Sequence, residues 1–346
     1  MEGVRIMNLF KVRNIFVAAV AVTSICFANI SAFAADYNWK FQSFWAGGST
    51  NQKIFEKFAV NVGKMSGDRI SIEALPGGAI VPPGEMMDAV KSNIIQGMNG
   101  GTGYFVGKDP AFAILADINT GYNSPDQLVA WYWAGGGIEL AREMYAKQGL
   151  FYLGPLLWGA ESIPSKTPIR SIADFKGIKM RAPEGMGAAI FRKIGVGVST
   201  LPGSEVYTAL ERGKIQATDW GTLGMNDELG YQKLVKYAIY PGIHSMPSAD
   251  ISMNLKVWNG LPEDLKAILI TAAKEMNRDS LETNGLLDRS FVAKRDPSTL
   301  INWGDNERKE LRGVAQAIWA EWGKKSPMAK RLLDSHMAFM KKIGLI

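Results

Sequence analysis

The chain has 346 residues, with 39 Lys and Arg against 33 Asp and Glu for a formal charge of +6, and it contains one cysteine and two histidines. The densest basic pairs, Arg192-Lys193, Lys324-Lys325 and Lys341-Lys342, read as solvated helix faces, so the charge is no footprint for nucleic acid. His244 and His336 are too few for a multi-histidine metal site, and no G-x-S-x-G elbow accompanies either as part of a Ser-His-Asp triad.

Residues 1–34 read as a signal peptide. Arg5, Lys11 and Arg13 precede an apolar run from Ile15 to Ala28, and Ala32-Phe33-Ala34 offers small residues for cleavage near Ala34. The run is shorter than the roughly 20 residues of a spanning helix. Cys26 lies inside it behind Ile25, a poor neighbour for lipid attachment, so the exported chain is expected to be free and without cysteine. That removes disulfides, thiolate catalysis and cysteine zinc sites together, and fits a bacterial periplasm. The mature charge is about +4, and roughly 310 residues exceed what one core supports, so two domains are expected.

Strand and helix signals alternate from there. Asn38 to Trp45 reads as a strand, and Ser49-Thr50-Asn51-Gln52 as a capping box opening a helix with apolar face Ile54, Phe55, Phe58, Val62 and Met65. Ile70, Ile72 and Ala74 alternate as a strand, and a Pro/Gly loop from Pro76 to Gly84 leads to a helix carrying Met86, Met87, Val90 and Ile94. Asn99 to Tyr104 marks a strand end, Asp126 to Lys147 one helix tolerating Gly135-Gly136-Gly137, and Phe151 to Trp158 a buried strand. Ile163 to Pro168 is expected to be a linker into a second unit. That unit would hold a strand at Ile178–Arg181, helices at Gly187–Ile194 and Ser204–Arg212, and a strand at Ile215–Trp220. A return strand at Pro247–Leu255 precedes a long helix from Pro262 to about Lys294 that would span both units, and helical material continues from Glu307 to Ile346. The expected architecture is α/β, with a first domain over 35–160 completed by parts of 247–346, a second over 161–246, and ligand in a crevice at strand carboxyl ends.

Arg181 ends a strand and leads through Ala182-Pro183-Glu184-Gly185 into a helix start, where a guanidinium can grip a carboxylate with two parallel hydrogen bonds. An inter-strand ion pair with Asp174 or Glu184 would use the same residue structurally, and spacing leaves both readings open. Trp45, Tyr104, Trp158, Tyr207 and Trp220 fall near strand ends or on cleft-facing helices; each alone is ordinary core, but together they suit the walls of an apolar pocket. Glu161 and Asp219 are acids near the crevice that could hold a hard cation or serve as a solvated acid and a turn residue. Gly185-Met186-Gly187-Ala188-Ala189-Ile190 imitates a dinucleotide fingerprint but fails at Ile190.

The string Asp174-Phe175-Lys176-Gly177-Ile178-Lys179-Met180-Arg181, then Leu201-Pro202, Glu205-Val206-Tyr207, Ala209-Leu210, Gly213, Ile215 and Leu261-Pro262-Glu263-Asp264-Leu265-Lys266, resembles the extracytoplasmic solute-binding subunits of TRAP transporters, the DctP family. The resemblance implies two hinged α/β domains with crossing strands and a long helix, closing on a small organic acid without catalysis. It also implies delivery to TRAP membrane permease subunits from the periplasm; the C-terminal helices could pack on their own domains or on another subunit, which leaves monomer and homodimer both open. Arg181 falls on the family's carboxylate-binding arginine. Asp219-Trp220, with Lys236-Tyr237 and Tyr240-Pro241-Gly242 downstream, looks most like the branch that binds 2-oxo or 2-hydroxy monocarboxylates with a sodium or calcium ion. Asp219 and the Trp220 carbonyl then map onto metal ligands, with Glu161 nearest to a further glutamine ligand that has no counterpart here. The rivals are an exported α/β enzyme acting on a small carboxylate and the binding protein of an ABC-type importer.

Overall fold

The computed structural model describes residues 35–346 apart from position 202, so the signal-peptide reading of residues 1–34 lies outside the described residues. The chain opens β1 (Tyr37–Ser43), α1 (Thr50–Met65), β2 (Ile70–Leu75), α2 (Met86–Lys91) and β3 (Gly97–Gly100). Ser49 caps α1 by accepting from Gln52 N at 3.3 Å, but the reciprocal half of the expected capping box is absent. The Gln52 side chain instead accepts from Ser43 Oγ at 2.6 Å, tying the helix start to β1. Ile54, Phe55, Phe58 and Val62 face the core, while Met65 is 39 % exposed at the C-terminal end.

After α3 (Ala111–Ala116) the expected helix over 126–147 is two helices, α4 (Pro125–Ala134) and α5 (Gly137–Lys147). The chain breaks at Gly136, whose φ of +88° lies in the left-handed region that glycine adopts without a Cβ penalty. β4 (Leu150–Leu157) follows, then β5 (Ile163–Ser165), where a linker was expected. Three residues containing Pro164 carry no readable period; pairing with neighbours on both sides makes them a strand. The second unit continues through β6 (Lys179–Arg181), α6 (Met186–Lys193), β7 (Gly197–Ser199), α7 (Val206–Glu211), β8 (Ala217–Thr218), α8 (Leu223–Glu228) and β9 (Tyr237–Ile239). β10 (Ser248–Asn254), α9 (Leu255–Asn259), α10 (Glu263–Val292), β11 (Leu300–Ile301), α11 (Asp305–Gly323) and α12 (Pro327–Lys342) complete the chain.

Two sheets result. The first has the order β2-β1-β3-β10-β4, with β1 parallel to β2 and β3, and β10 antiparallel to β3 and β4. The second has the order β11-β9-β5-β8-β6-β7, with β6 parallel to β7 and β8. The segment after residue 247 thus supplies β10 to the first sheet and β11 to the second.

The 30-residue α10 joins them. Its buried stripe, Leu265, Leu269, Ala272, Ala273 and Met276, lies in the core of the first unit, and its Asn277 side chain accepts from Leu157 N at 2.8 Å. Near its other end Asp288 accepts from Gly224 N at 2.7 Å, which fixes the start of α8. α11 and α12 pack on their own chain: Trp319 donates to Asn119 O at 3.0 Å, and His336 stacks on Trp131 with ring centres 3.6 Å apart.

Candidate functional site

Parallel pairing of β6 with β8 sets Arg181 opposite Thr218, and the Asp219 N–H returns to the Arg181 carbonyl at 2.9 Å. The carboxyl ends of two adjacent strands therefore deliver Arg181, Asp219 and Trp220 to one place. Glu161 reaches it from the segment between β4 and β5, its N–H donating to Ser245 O at 3.0 Å. His244 and Ser245 come from the segment between β9 and β10, where Thr120 N donates to His244 O at 2.9 Å. Two connections between the two units converge here on the strand ends of the second.

Arg181 is buried and makes no ion pair with Asp174 or Glu184. Asp174 caps its own turn by accepting from Ser171 N at 3.0 Å, and Glu184 pairs with Arg192 at 2.8 Å. The guanidinium is held by main-chain oxygens instead: Nε donates to Leu201 O at 3.0 Å and Nη1 to the Asp219 carbonyl. Its carbon lies 5.4 Å from the Trp220 ring centre, a cation–π distance. Among the described residues nothing hydrogen-bonds to Nη2. A buried cation fixed by neutral partners, with donors unspent, has the chemistry to receive an anion.

Asp219 receives His244 Nε2 on Oδ1 at 2.9 Å. Glu161 accepts from Trp158 Nε1 at 3.2 Å and from Ser245 Oγ at 2.8 Å, and the same hydroxyl lies 2.7 Å from Asp117 Oδ2. One hydroxyl proton cannot serve both oxygens at once. Burial, then the neighbouring Asp219 charge, push the Glu161 carboxyl well above the usual carboxylate range. Burial also acts to raise Asp219, but His244, the Glu161 proton and Arg181 outweigh it and hold Asp219 low. Burial raises Asp117 to about 7, against hydrogen bonding from Ser245. Such crowding of buried carboxyls favours either a shared proton or a cation between them. Glu161, Asp219 and His244 can each offer a donor atom with all three atoms within 4.8 Å of one another, so the residues present fit an ion.

Four aromatic residues form one chain of contacts, with Trp220 packed separately beside Tyr231 and Val206. Trp45 and Trp158 meet edge to face with centres 5.2 Å apart, Phe44 lies 4.0 Å from Trp45, and Tyr104 contacts Phe44 at 6.2 Å. Trp45 Nε1 donates to Asn99 Oδ1 at 2.8 Å, which locks its ring. Tyr104 is 59 % exposed, and the Arg181 charge opposes the effect of burial on its hydroxyl. Tyr207 stands apart from this chain of contacts, 39 % exposed on α7 with its ring against Gly230.

Sequence reasoning missed Asn99, Asp117, Ser245 and Tyr231, and took His244 only as a remote triad candidate. Tyr231 is buried and pushed up to about 12 by burial, with the Arg181 charge opposing. The one available signal was His244 itself, one of two imidazoles in the chain.

Comparison with known proteins places this architecture. The monocarboxylate 2-oxoacid-binding periplasmic protein all3028 of Nostoc is 27% identical over 347 residues, covering 99% of this chain and 95% of that one. The apo open structure of a TRAP periplasmic solute-binding protein from Rhodobacter sphaeroides is 33% identical with a TM-score of 0.80, covering 89% of this chain and 99% of that one. A TRAP solute-binding protein from Colwellia psychrerythraea, solved with bound calcium and pyruvate, is 25% identical with a TM-score of 0.76, covering 89% and 95%. One from Pseudoalteromonas atlantica, with bound sodium and pyruvate, is 25% identical with a TM-score of 0.74 over the same shares, 89% and 95%. No helix among the described residues is long and apolar enough to cross a membrane. The model of the bacterial extracellular solute-binding proteins, family 7, matches residues 41–326, and this chain belongs to that family, DctP.

Proposed function

We propose that this chain captures a small organic acid outside the cytoplasm and delivers it to a TRAP-type permease, with Arg181 gripping the acid's carboxylate. The observation that carries the reading is the buried guanidinium itself, held by the Leu201 and Asp219 carbonyls with Nη2 left for an incoming anion. Trp45, Trp158, Tyr104 and Trp220 serve as walls, since ligand pockets are mostly apolar with a few placed polar groups, and Tyr207 as an outer contact.

In this reading Glu161, Asp219 and the Trp220 carbonyl hold a cation that meets the acid's second oxygen, as a 2-oxo or 2-hydroxy monocarboxylate would present. Support comes from the crowded Glu161–Asp219 pair and from relatives that carry sodium or calcium with pyruvate. A bound ion would neutralise the pair and polarise that oxygen; the chain's own residues orient and enclose the ligand. No bond is broken in this account, so the protein binds without turnover. A thermal-shift screen of organic acids, with and without added cations, tests it: pyruvate-like acids should raise the melting temperature, and a screen with no responding carboxylate would reject the reading.

A further inference from the structure

The third donor beside the two carboxylates is an imidazole, and that is a poor match for sodium or calcium, which take oxygen ligands. Apart from the Trp220 carbonyl, two oxygens that could add to the set are already engaged. The Asp219 carbonyl already receives Arg181 Nη1 and Thr218 Oγ1, and the Ser245 hydroxyl is engaged with Glu161 and Asp117. Glu161, Asp219 and His244 are each at most 5 % exposed, and His244 Nδ1 is buried with no hydrogen-bond partner among the described residues. Two carboxylates and one imidazole form the mixed N/O set that suits later first-row divalent ions, three protein ligands leaving positions for a bound molecule.

We propose that Glu161, Asp219 and His244 form a site for a borderline divalent ion, Zn2+ or Co2+, in preference to sodium or calcium, with the open positions taken by the organic acid. This rests on the reading that the site holds a cation. It adds His244 as a ligand, the ion taking the place of the Nε2–Asp219 hydrogen bond, and changes the class of ion.

The test is calorimetry on chelator-treated protein, titrated separately with zinc, calcium and sodium chloride in the absence of any acid. Zinc should bind one site per chain at least about tenfold more tightly than calcium, following the donor preference of imidazole. His244→Gln, which keeps a hydrogen-bond donor for Asp219 and replaces nitrogen by oxygen, should lose that preference while still binding calcium, and Asp219→Asn should lose both. Calcium or sodium binding as tightly as zinc in the wild type would overturn the proposal. So would a zinc preference that persists unchanged in both variants, which would place the zinc elsewhere. The visible spectrum of the cobalt-loaded wild type needs no variant: intense bands of a low-coordinate ion are expected, and the weak bands of an all-oxygen octahedral ion would count against the site. Acid binding is measured separately by thermal shift. Acid stabilisation without a zinc preference rejects this inference and leaves the proposed function standing; a zinc preference without acid stabilisation does the reverse.

Discussion

Arg181 binds the main-chain oxygen of Asp219 and leaves that residue's carboxylate to His244. The guanidinium thus keeps its full charge for a ligand, because no side-chain acid neutralises it directly. The carboxylate in turn is oriented from the opposite side, by a residue on a different connection between the two units. The site therefore presents a free cation and a fixed anion next to each other, the pairing needed for an acid held together with an ion.

Ser245 is expected to act on this anion through Glu161. Its hydroxyl lies 2.8 Å from Glu161 and 2.7 Å from Asp117, so Ser245→Ala leaves the two carboxyls without their shared donor. Loss of such a supporting partner costs about tenfold or more in ion affinity. Calorimetric ion binding should show this loss, and Ser245→Thr should restore most of it; equal affinity in all three proteins would assign Ser245 to packing alone.

Gly242 sits where a side chain cannot. A Cβ there would lie 2.0 Å from the Glu161 carbonyl oxygen, which is main chain and cannot rotate away. Gly242→Ala must displace the Glu161 segment, with an overpacking cost of about 1–3 kcal/mol. Chemical denaturation should register that loss, and ligand affinity should fall with it. An unchanged denaturation midpoint and affinity would contradict this placement.

Asp250 is fully buried in β10, and burial raises its carboxyl from 3.8 to about 7 against hydrogen bonds from Ser252 and Thr102. The folded protein holds the neutral form while the unfolded chain ionises, so this contribution is full below about pH 4 and is lost as pH rises through about 7. His336 runs the other way: burial lowers it from 6.5 to about 3, so its contribution is present above pH 6.5 and lost on acidification. Stability curves of wild type and Asp250→Asn should therefore diverge between pH 4 and 7, the variant losing less stability on the alkaline side. Parallel curves would show that Asp250 does not titrate in this window.

The long helix and the arginine were legible for physical reasons that the short strands lack. Over α10 the apolar stripe from Leu265 to Met276 repeats at helical spacing, and Pro262 marks its start. Arg181 stood out as a charged residue ending an apolar strand beside a helix start. β5 and β8, at three and two residues, are too short to show a period, and only their partners make them strands. The break between α4 and α5 could be suspected from three successive glycines, but which of them turns left-handed depends on packing around Trp131. His244 and Asp219 are 25 positions apart, and their meeting follows from how β8 and the β9–β10 connection cross, which no local pattern encodes. Tyr104, Trp45 and Trp158 each look like core residues singly; their contacts unite them.

The central claim is that Arg181 holds the ligand's carboxylate, and calorimetry of pyruvate and its homologues with wild type and Arg181→Ala tests it most directly. Removing one partner of a desolvated pair costs about 3–5 kcal/mol. The variant should fold with an unchanged circular dichroism spectrum and show no measurable acid binding, while Arg181→Lys, a point charge without the planar fork, should bind weakly. Near wild-type affinity in a folded Arg181→Ala protein would contradict the account.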